Sequence, residues 1–369
     1  MIEETNLNKN EIIENKLNIS NENENKNNKK ENILNNSIKK DDISNIIKFR
    51  KYLEEMKSNL LENFELEKFV NSGSESNLYY CNLKISKKKV AMKIISRKKG
   101  QKRNINELII SKKLKNKNII NFYGYYTIKK DELDCIIMEY AKFGNLRDFQ
   151  KNLINRNFLS ESLICFIAFQ ILNGLKYCHL CEIAHMDIKP QNIIIDDSLN
   201  VKIIDFSISL DYSRIKSKKV KLPLIGTSFY MAPEVIKKKI INKKDLNKVD
   251  LYSFGVVLYG LAFGIFPFNL SKEDYKDYHT IYKKIMKEKL VFDKDYCYSS
   301  HFIDFLKKLL EKDINKRINI NEALNHYWIK GGEILLNEKE KICNAELFLS
   351  HLITNHLKKF DDYLLKKHS

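Results

Sequence analysis

The ten residues "IAHMDIKPQN" (Ile183–Asn192) carry a carboxylate, an ammonium group and a carboxamide at short offsets. Asp187 and Asn192 are five positions apart, with Lys189 between them. Pro190 disfavours a helix here because it has no backbone N–H to donate. The stretch therefore predicts an extended loop that presents all three groups to one site. Such groups suit an anionic, oxygen-rich ligand that binds together with divalent metal ions.

A second carboxylate follows at a defined distance. Thirteen residues after Asn192, an apolar run typical of a strand ends in "IIDFS", with Asp205 at its tip. A lone Asp-x-Lys-Pro-x-Asn pattern arises easily by chance, but its combination with this second acid is much less accidental. The sequence therefore predicts that Asp187 and Asn192 supply hard oxygen ligands for a divalent metal and that Asp205 adds the second metal carboxylate.

The flanking segments indicate the fold class. Before the loop, short apolar runs between charged turns predict strands, among them "KKKVAMKII" (Lys87–Ile95) and "DCIIMEY" (Asp134–Tyr140), with one helical stretch around Asn106–Leu114. Beyond Asn145, helical periodicity dominates. We therefore expect an α+β protein in which a small β-rich lobe precedes a larger α-helical lobe.

Four motifs, "VAMK", "HMDIKPQN", "DFS" and "MAPE", resemble those of the eukaryotic protein kinases in order and spacing. The similarity covers roughly Phe64–Lys330. It implies a two-lobed protein kinase fold with an N-lobe at 64–141, a C-lobe at 142–330 and ATP in the cleft. Lys189 and Thr227 resemble the serine/threonine class, which implies transfer of the γ-phosphate of ATP to Ser and Thr hydroxyls of protein substrates.

The resemblance also implies a role for each residue of the catalytic machinery. Lys93 would hold the α- and β-phosphates, and Glu107 would pair with Lys93 to position it. Asp187 would accept or orient the proton of the substrate hydroxyl, while Lys189 would steady the γ-phosphate. Asn192 and Asp205 would bind Mg²⁺, with Mn²⁺ as an alternative ion.

Two further sets of residues follow from the same resemblance. The nucleotide pocket would be lined by Val70, Gly73, Leu78, Ala91, Lys93, Met138, Glu139, Ala141 and Ile194. The activation segment and its supports would comprise Phe206, Thr227, Glu234, Asp250 and Arg317. In the second set, Glu234 and Arg317 would form a buried ion pair that fixes the lower lobe.

Two motifs depart from the family pattern. The family's glycine loop, G-x-G-x-x-G, falls on residues 71–76 and keeps only Gly73, so we expect a weaker affinity for nucleotide. Ser207 replaces the usual glycine of "DFG". These losses favour a rival interpretation, a pseudokinase that serves as a scaffold with weak or no catalysis. The catalytic residues themselves all match the family, which favours the enzyme.

Met186 replaces the arginine that in most of the family precedes the catalytic aspartate and grips a phosphate on the activation loop. Methionine cannot do so because it has no charge and no hydrogen-bond donor. The usual phosphate-accepting position is Pro223, which has no hydroxyl. Both halves of the switch are absent together, so we expect activity that does not depend on phosphorylation at that position.

The net charge of +18 invites a nucleic-acid or membrane interpretation, but Lys, Asn, Ile and Glu are used heavily throughout the chain. No basic stripe interleaved with aromatic residues appears, so we expect no nucleic-acid partner. Between Arg214 and Lys244 there are ten Lys or Arg residues and one acid, Glu234. Charge of this sign at the cleft edge would favour acidic protein substrates, but a solvated, compositionally biased face is the slightly favoured interpretation.

The uncharged run Leu251–Leu270 is long enough to mimic a membrane span, but three glycines and a proline interrupt it, which favours a buried core helix and no membrane span. Seven cysteines without a regular spacing suit a reducing compartment, so we expect a cytoplasmic protein, with the nucleus as the alternative. The pair Cys178 and Cys181 resembles half of a zinc site, but a structural role is favoured because no second CxxC exists. We expect a monomer.

Three segments lie outside the predicted kinase domain. Residues 1–45 hold fourteen asparagines and no Gly or Pro, which predicts a disordered low-complexity tail without the apolar run of a signal peptide. Residues 46–63 have rough helical spacing and form a predicted helical lead-in. Residues 331–369 predict a C-terminal helical extension, for which packing on the large lobe is favoured over a role as a partner-binding or autoinhibitory tail.

Overall fold

The structure is a computed structural model, and it describes residues 63–72, 76–96, 106–128, 133–153, 159–271, 273–292, 298–342 and 345–353. The predicted disordered tail, nearly all of the helical lead-in, Gly73 and the last sixteen positions of the C-terminal extension (354–369) lie outside these residues. The chain divides into two compact units. The first comprises Met1–Asn104 and Asn121–Tyr140, and the second comprises Ile105–Ile120 and Ala141–Ser369.

The first unit contains one antiparallel sheet with the strand order β1-β2-β3-β5-β4. Its strands are β1 (Phe64–Ser72), β2 (Ser76–Leu83), β3 (Lys89–Ser96), β4 (Phe122–Ile128) and β5 (Leu133–Glu139). Side chains alternate between the two faces of a strand. One face forms the apolar core of this unit, which includes Tyr79, Cys81, Val90, Met92, Ile94, Cys135 and Ile137.

The second unit is mainly helical. Its helices are α1 (Asn106–Lys113), α2 (Leu146–Leu153), α3 (Glu161–Leu180), α4 (Pro233–Ile236), α5 (Asn247–Phe263), α6 (Tyr278–Lys287), α7 (Ser300–Leu309), α8 (Ile320–Asn325), α9 (Tyr327–Lys341) and α10 (Ala345–Ile353). Helix α1 packs into this core through Ile110, although the boundary drawn from the sequence put it in the N-lobe.

Short two-stranded ladders join the loops of the second unit. Strand β6 (Ile183–Ala184) pairs with β9 (Leu210–Asp211), and β7 (Ile193–Ile195) pairs with β8 (Val201–Ile203). Strand β10 (Lys219–Lys221) pairs with β11 (Ile240–Asn242). All three ladders are antiparallel, and the first two hold the two ends of the predicted catalytic segment.

Helix α5 contains the start of the uncharged run that mimics a membrane span. Nearly all of its side chains are buried in the second core, and Gly264 ends it in the left-handed conformation, at φ 68°. Among the described residues, α3 is the one helix that is long and apolar enough to cross a membrane. Most of that helix is buried in the same core.

Helices α9 and α10 pack against α3. Gly332 permits the close approach of α9, because a Cβ atom there would lie 2.4 Å from Cβ of Phe169. The ring of Phe348 in α10 lies 5.3 Å from that of Phe166, and the hydroxyl of Ser162 donates to the carbonyl of Leu352 at 3.1 Å. Helix α9 runs through the predicted boundary at residue 330, so the described part of the extension continues the domain.

Candidate active site

The predicted catalytic loop brings three of its polar side chains together. Nζ of Lys189 donates to Oδ2 of Asp187 at 2.5 Å. Nδ2 of Asn192 donates to the backbone carbonyl of Asp187 at 2.9 Å and to its Oδ2 at 3.1 Å. A single 3₁₀ turn, Pro190–Asn192, carries the chain from the aspartate to β7 and brings the carboxamide back toward it. The turn explains the five-residue spacing seen in the sequence.

Thr227, in the activation segment, completes this cluster from forty residues further along the chain. Its backbone N–H donates to Oδ1 of Asp187 at 2.9 Å, and its hydroxyl donates to the same oxygen at 2.8 Å. The hydroxyl also accepts a hydrogen bond from Nζ of Lys189 at 2.9 Å. Both oxygens of the aspartate are therefore oriented by fixed donors, and the activation segment is fastened to the catalytic loop.

Gly226 makes this contact possible, and the sequence interpretation did not single it out. Its φ is 106°, a conformation that residues with a side chain rarely adopt. A Cβ atom at this position would lie 2.7 Å from the carbonyl oxygen of Met186. Its position immediately before Thr227 is the only sequence signal that indicated a special role.

Asp250 anchors the start of the catalytic loop through hydrogen bonds to its backbone. Its carboxylate accepts hydrogen bonds from the backbone N–H of His185 at 2.9 Å, from that of Met186 at 2.8 Å and from Nε2 of His179 at 2.9 Å. Met186 has a φ of 70°, and the anchored backbone holds it in this uncommon conformation.

The carboxylate of Asp250 is completely buried, and burial alone would raise its pKa. The hydrogen bonds that the carboxylate accepts, above all the one from His179 and also that from the backbone N–H of Met186, counteract that effect, and the pKa of Asp250 lies below its ordinary value. His179 therefore serves the carboxylate rather than a zinc ion. Among the described residues, no group of three or more His, Cys, Asp and Glu side chains is arranged to hold a metal. Burial raises the pKa of the neighbouring Cys178 thiol well above its usual range, as suits a structural cysteine.

His185 links the catalytic loop to the "DFS" segment. Its Nε2 lies 2.9 Å from the carbonyl of Ile204 and its Nδ1 lies 3.3 Å from the backbone N–H of Asp187, which assigns the proton to Nε2. Its ring also packs edge-on against Phe206, with centroids 5.0 Å apart. From the other side, Nδ2 of Asn106 donates to the carbonyl of Ser209 at 2.9 Å.

The two predicted metal ligands lie at neighbouring ends of the β7–β8 ladder. Ile193 pairs with Ile203, and the backbone N–H of Ile204 donates to the carbonyl of Asn192 at 3.0 Å. This places Asn192 beside the strand end that carries Asp205. Because Nδ2 of Asn192 is bound to Asp187, its Oδ1 remains directed elsewhere as a candidate ligand. A carboxamide oxygen and a carboxylate match the few protein ligands that Mg²⁺ takes when phosphates supply the rest.

Several predicted nucleotide-binding residues share one face of the sheet in the first unit. Leu78 is the cross-strand partner of Lys93, and Ala91 is the partner of Met138. Since Ala91 and Lys93 are two residues apart on β3, all four side chains point to the same face, opposite the apolar core. Val70 lies on β1 and is half-buried.

Glu139 is buried at the end of β5. Its carboxylate accepts a hydrogen bond from Nδ2 of Asn121 at 2.7 Å and another from the backbone N–H of the same residue at 3.2 Å. These bonds fix the end of β5, where two of the predicted nucleotide-pocket residues lie. Ala141 is buried just after it.

Two further predicted residues belong to the second unit. Glu107 lies in the first turn of α1 and is buried, and Ser111, one turn later, is buried as well. Ile194 lies in β7 and forms an isolated bridge with Asn145.

Glu234 and Arg317 form a bidentate ion pair. The two bonds measure 2.6 Å and 3.0 Å, and the side chains are almost completely buried. Arg317 also donates to the carbonyls of Lys248 and Glu311, and its guanidinium lies 4.9 Å from the centre of the Tyr252 ring. The pair joins the end of the activation segment to the core around α5.

Comparisons with known proteins agree with this geometry. The chain is 28% identical over 304 residues to the MAP kinase kinase MKK1/SSP32 of Saccharomyces cerevisiae, which covers 79% of this chain and 57% of that protein. It is 30% identical over 286 residues to CBL-interacting serine/threonine-protein kinase 14 of Arabidopsis thaliana, covering 76% and 61%. It is 29% identical over 275 residues to an Aurora kinase of Dictyostelium discoideum, covering 73% and 66%.

The chain thus spans about three fifths of the length of these relatives. The five-stranded sheet followed by a helical unit confirms the expected two-lobed α+β fold. The family described as "Protein kinase domain" matches residues 64–329, in agreement with the resemblance predicted from the motifs. The chain therefore belongs to the protein kinase family.

Proposed function

We propose that this chain is an ATP-dependent serine/threonine protein kinase that transfers the γ-phosphate to Ser and Thr hydroxyls of protein substrates. The observation that carries the proposal is the joint contact of Lys189 with Asp187 and Thr227. A lysine bridging the catalytic carboxylate and a threonine of the activation segment suits a phosphate acceptor that is a small aliphatic hydroxyl. Several of the similar proteins are serine/threonine kinases, which supports the same class.

In this proposal Asp187 orients the substrate hydroxyl and accepts its proton as the oxygen attacks phosphorus. The hydrogen bonds from Thr227 to Oδ1 fix the direction of that carboxylate, so the acceptor oxygen need not reorganise during the reaction. Lys189 supplies a positive charge where negative charge accumulates on the transferring phosphoryl group. Lys93 has the role that the family resemblance implies, which is to hold the α- and β-phosphates.

Mg²⁺, with Mn²⁺ as the alternative, would be held by Asn192 and Asp205, whose oxygen ligands fit such an ion. When bound, the ion neutralises the charge of the phosphates and helps to orient them. Asn192 has a second task in the chain itself, because its amide nitrogen holds the backbone and side chain of Asp187.

We also propose that this kinase is active without a phosphate at the usual activation-loop position. Met186 is buried in the core of the second unit, and its backbone N–H is already bound to Asp250. The contact between Thr227 and Asp187 supplies the ordering of the activation segment that a bound phosphate would otherwise supply. Pro223, at the usual acceptor position, is exposed and has no hydroxyl.

The proposed substrates are acidic proteins. Members of the family that prefer basic substrates carry acids near the catalytic loop, whereas the matching positions here are Asn145, Gln191 and Gly260. Asn145 and Gly260 are occupied by contacts with neighbouring side chains, namely Asp148 and Gln150.

We further propose a monomer in the cytoplasm, with the nucleus as the alternative. The free thiols of the five described cysteines suit a reducing compartment.

The deciding experiment is a radiolabelled-ATP assay on purified full-length chain with acidic and basic protein substrates, followed by phosphoamino-acid analysis. We expect phosphoserine and phosphothreonine from the wild-type protein and none above background from Asp187→Asn or Asp205→Ala. A phosphate at Ser213 or Ser217 could still be held by neighbouring lysines, so the intact mass of the active protein is measured to show whether it is active without any phosphate. A folded wild-type chain that binds nucleotide but phosphorylates nothing would make it a pseudokinase.

A further inference from the structure

The strands Lys219–Lys221 and Ile240–Asn242 form a two-stranded antiparallel ladder, which we call the β10–β11 ribbon. Two main-chain bonds extend it: the N–H of Leu222 donates to the carbonyl of Lys239 at 3.0 Å, and the N–H of Lys243 donates to the carbonyl of Lys218 at 2.8 Å. The residues between its two strands include Thr227 of the activation segment and helix α4. A molecule bound to the ribbon is therefore held at the base of the segment that contacts Asp187 through Thr227.

The two faces of the ribbon differ sharply. Val220 and Ile241 are cross-strand partners and both are buried, so they anchor the ribbon to the domain. Lys219 and Lys221 point the opposite way and are exposed. Directly opposite Lys221, on the same outer face, Ile240 is 65% exposed. The outer face thus presents two lysines beside an isolated apolar side chain.

Positive charge accumulates along the ribbon and the residues that lead into it. Six exposed lysines of the ribbon and its approach form no ion pair among the described residues: Lys218, Lys219, Lys221, Lys237, Lys238 and Lys239. The acids closest in sequence already have cationic partners, since Glu234 binds Arg317 and Asp245 lies 3.4 Å from Lys248. The surface is therefore complementary to a partner that brings its own carboxylates.

We propose that the outer face of the β10–β11 ribbon docks an extended, acidic segment of a protein substrate, at a site separate from the catalytic loop. Lys219 and Lys221 are two residues apart on a strand, so their side chains lie roughly 7 Å apart. An extended peptide repeats at the same interval, which places carboxylates at alternate positions opposite both lysines. Ile240 adds an apolar contact beside them. This docking role rests on the proposed kinase function, which supplies the reason to hold a protein near Asp187.

Two other anionic partners fit the face less well. Single-stranded nucleic acids bind through aromatic platforms combined with basic grooves, and the outward residues of the ribbon include no aromatic side chain. A membrane surface requires a broad apolar face, whereas the ribbon exposes one isoleucine on this face. An acidic protein segment uses both the lysines and that isoleucine.

The test measures binding without ATP, so it does not depend on catalysis. A fluorescent peptide of about twelve residues, with glutamate alternating with threonine, is titrated with the full chain, and a peptide with glutamine in place of glutamate is the control. We expect Lys219→Glu/Lys221→Glu to weaken binding of the acidic peptide by about tenfold or more. The matched variant Lys84→Glu/Lys330→Glu changes two exposed lysines elsewhere and alters the net charge equally, and it should stay within about twofold of wild type.

Equal losses in both double variants, or equal binding of the glutamine peptide, would overturn the proposal. It is also overturned if the ribbon lysines control binding of an RNA oligonucleotide or of vesicles containing phosphatidylserine but not of the acidic peptide. A second assay uses a serine peptide with and without an appended acidic segment. The ribbon variant should raise KM for the appended substrate while leaving kcat, and activity on the plain peptide, unchanged. If no protein variant phosphorylates either peptide, the kinase proposal fails while the binding assay still decides the docking site.

Discussion

Nζ of Lys189 lies 2.5 Å from Oδ2 of Asp187. The same nitrogen lies 2.9 Å from the hydroxyl of Thr227, which in turn donates to Oδ1 of the aspartate. The three side chains therefore form a closed set of hydrogen bonds in which each orients the other two. Because Thr227 belongs to the activation segment, the order of that segment and the orientation of the catalytic carboxylate are coupled.

The first prediction concerns that threonine. Thr227→Val keeps the shape of the side chain but removes the hydroxyl, which leaves Oδ1 of Asp187 with only the backbone donor. We expect kcat to fall by roughly tenfold to a hundredfold, because the carboxylate is less well aimed. Thr227→Ser retains the hydroxyl and should keep most of the activity. Steady-state kinetics would contradict the prediction if both variants lost activity equally or if the valine variant kept the wild-type kcat.

The second prediction concerns Gly226. In Gly226→Ala the new methyl group would lie 2.7 Å from the carbonyl oxygen of Met186, in a backbone conformation that disfavours alanine. The segment must shift, so Thr227 moves away from the catalytic aspartate and kcat should fall by about a hundredfold. Nucleotide affinity, measured by calorimetry, should change little, since this segment does not carry the predicted adenine contacts.

Gly264→Ala is the matched control for strain alone. Gly264 also has a positive φ, 68°, but nothing lies within 4 Å of the position of its Cβ. The substitution should lower stability by about 1–2 kcal/mol and leave kcat unchanged. If both alanine variants reduced kcat alike, a general loss of stability rather than the close approach at Gly226 would explain the effect.

The third prediction concerns the buried ion pair. Arg317→Met leaves the carboxylate of Glu234 buried without its partner, and the free energy of unfolding should fall by ~3–5 kcal/mol. The double variant Glu234→Gln/Arg317→Met removes the uncompensated charge and should recover part of that loss. Urea unfolding followed by circular dichroism compares them, and a double variant less stable than Arg317→Met alone would show that charge burial is not the dominant effect.

The fourth prediction concerns acid stability. The pKa of Asp250 in the folded chain lies below its ordinary value of 3.8, so the unfolded chain takes up the proton first as the pH falls. Its contribution to stability is fully present above about pH 5 and is lost as the pH falls through 3.8 toward the folded-state value. Asp250→Asn should therefore be less stable at neutral pH and should lose less stability than wild type on acidification.

The carboxamide introduced by Asp250→Asn would also match its surroundings poorly. In the wild-type chain, one oxygen of Asp250 accepts hydrogen bonds from Nε2 of His179 and from the backbone N–H of His185, and the other accepts from the backbone N–H of Met186. The amide nitrogen of asparagine, itself a donor, would face another donor in either position. Asp197→Asn is the control, because Asp197 is exposed. Thermal unfolding between about pH 3 and about pH 7 is the measurement. Parallel pH profiles for wild type and Asp250→Asn would contradict the assignment.

Local spacing predicted the polar core of the site because those residues are close in the chain. Asp187, Lys189 and Asn192 flank or belong to one 3₁₀ turn, and Pro190 fixes the backbone at the start of that turn. The fold class was equally accessible, since short β-rich runs preceded long helical ones. The uncharged run was interpreted as a buried core helix, and nearly all side chains of α5 are buried, although only Gly264 ends the helix and Gly255 and Gly260 lie within it.

Other contacts left no sequence signal. Three-residue strands such as β10 carry too few side chains to show alternation, and "KVK" in a lysine-rich chain resembles any solvated loop. The role of His179 was hidden because its partner Asp250 lies seventy-one residues away. Its sequence context does not distinguish Gly226 from other loop glycines, because its close approach to the carbonyl of Met186 exists only in the folded chain.

The sequence by itself determined the family, the order of the lobes and the polar residue types of the candidate site, because these depend on residue type and short-range spacing. Only the tertiary structure decided that Thr227 reaches Asp187, that Asp250 holds the catalytic loop from within the core and that two lysine-bearing strands form a ribbon. Those contacts join segments far apart in the chain, and their geometry depends on how the helices between them pack.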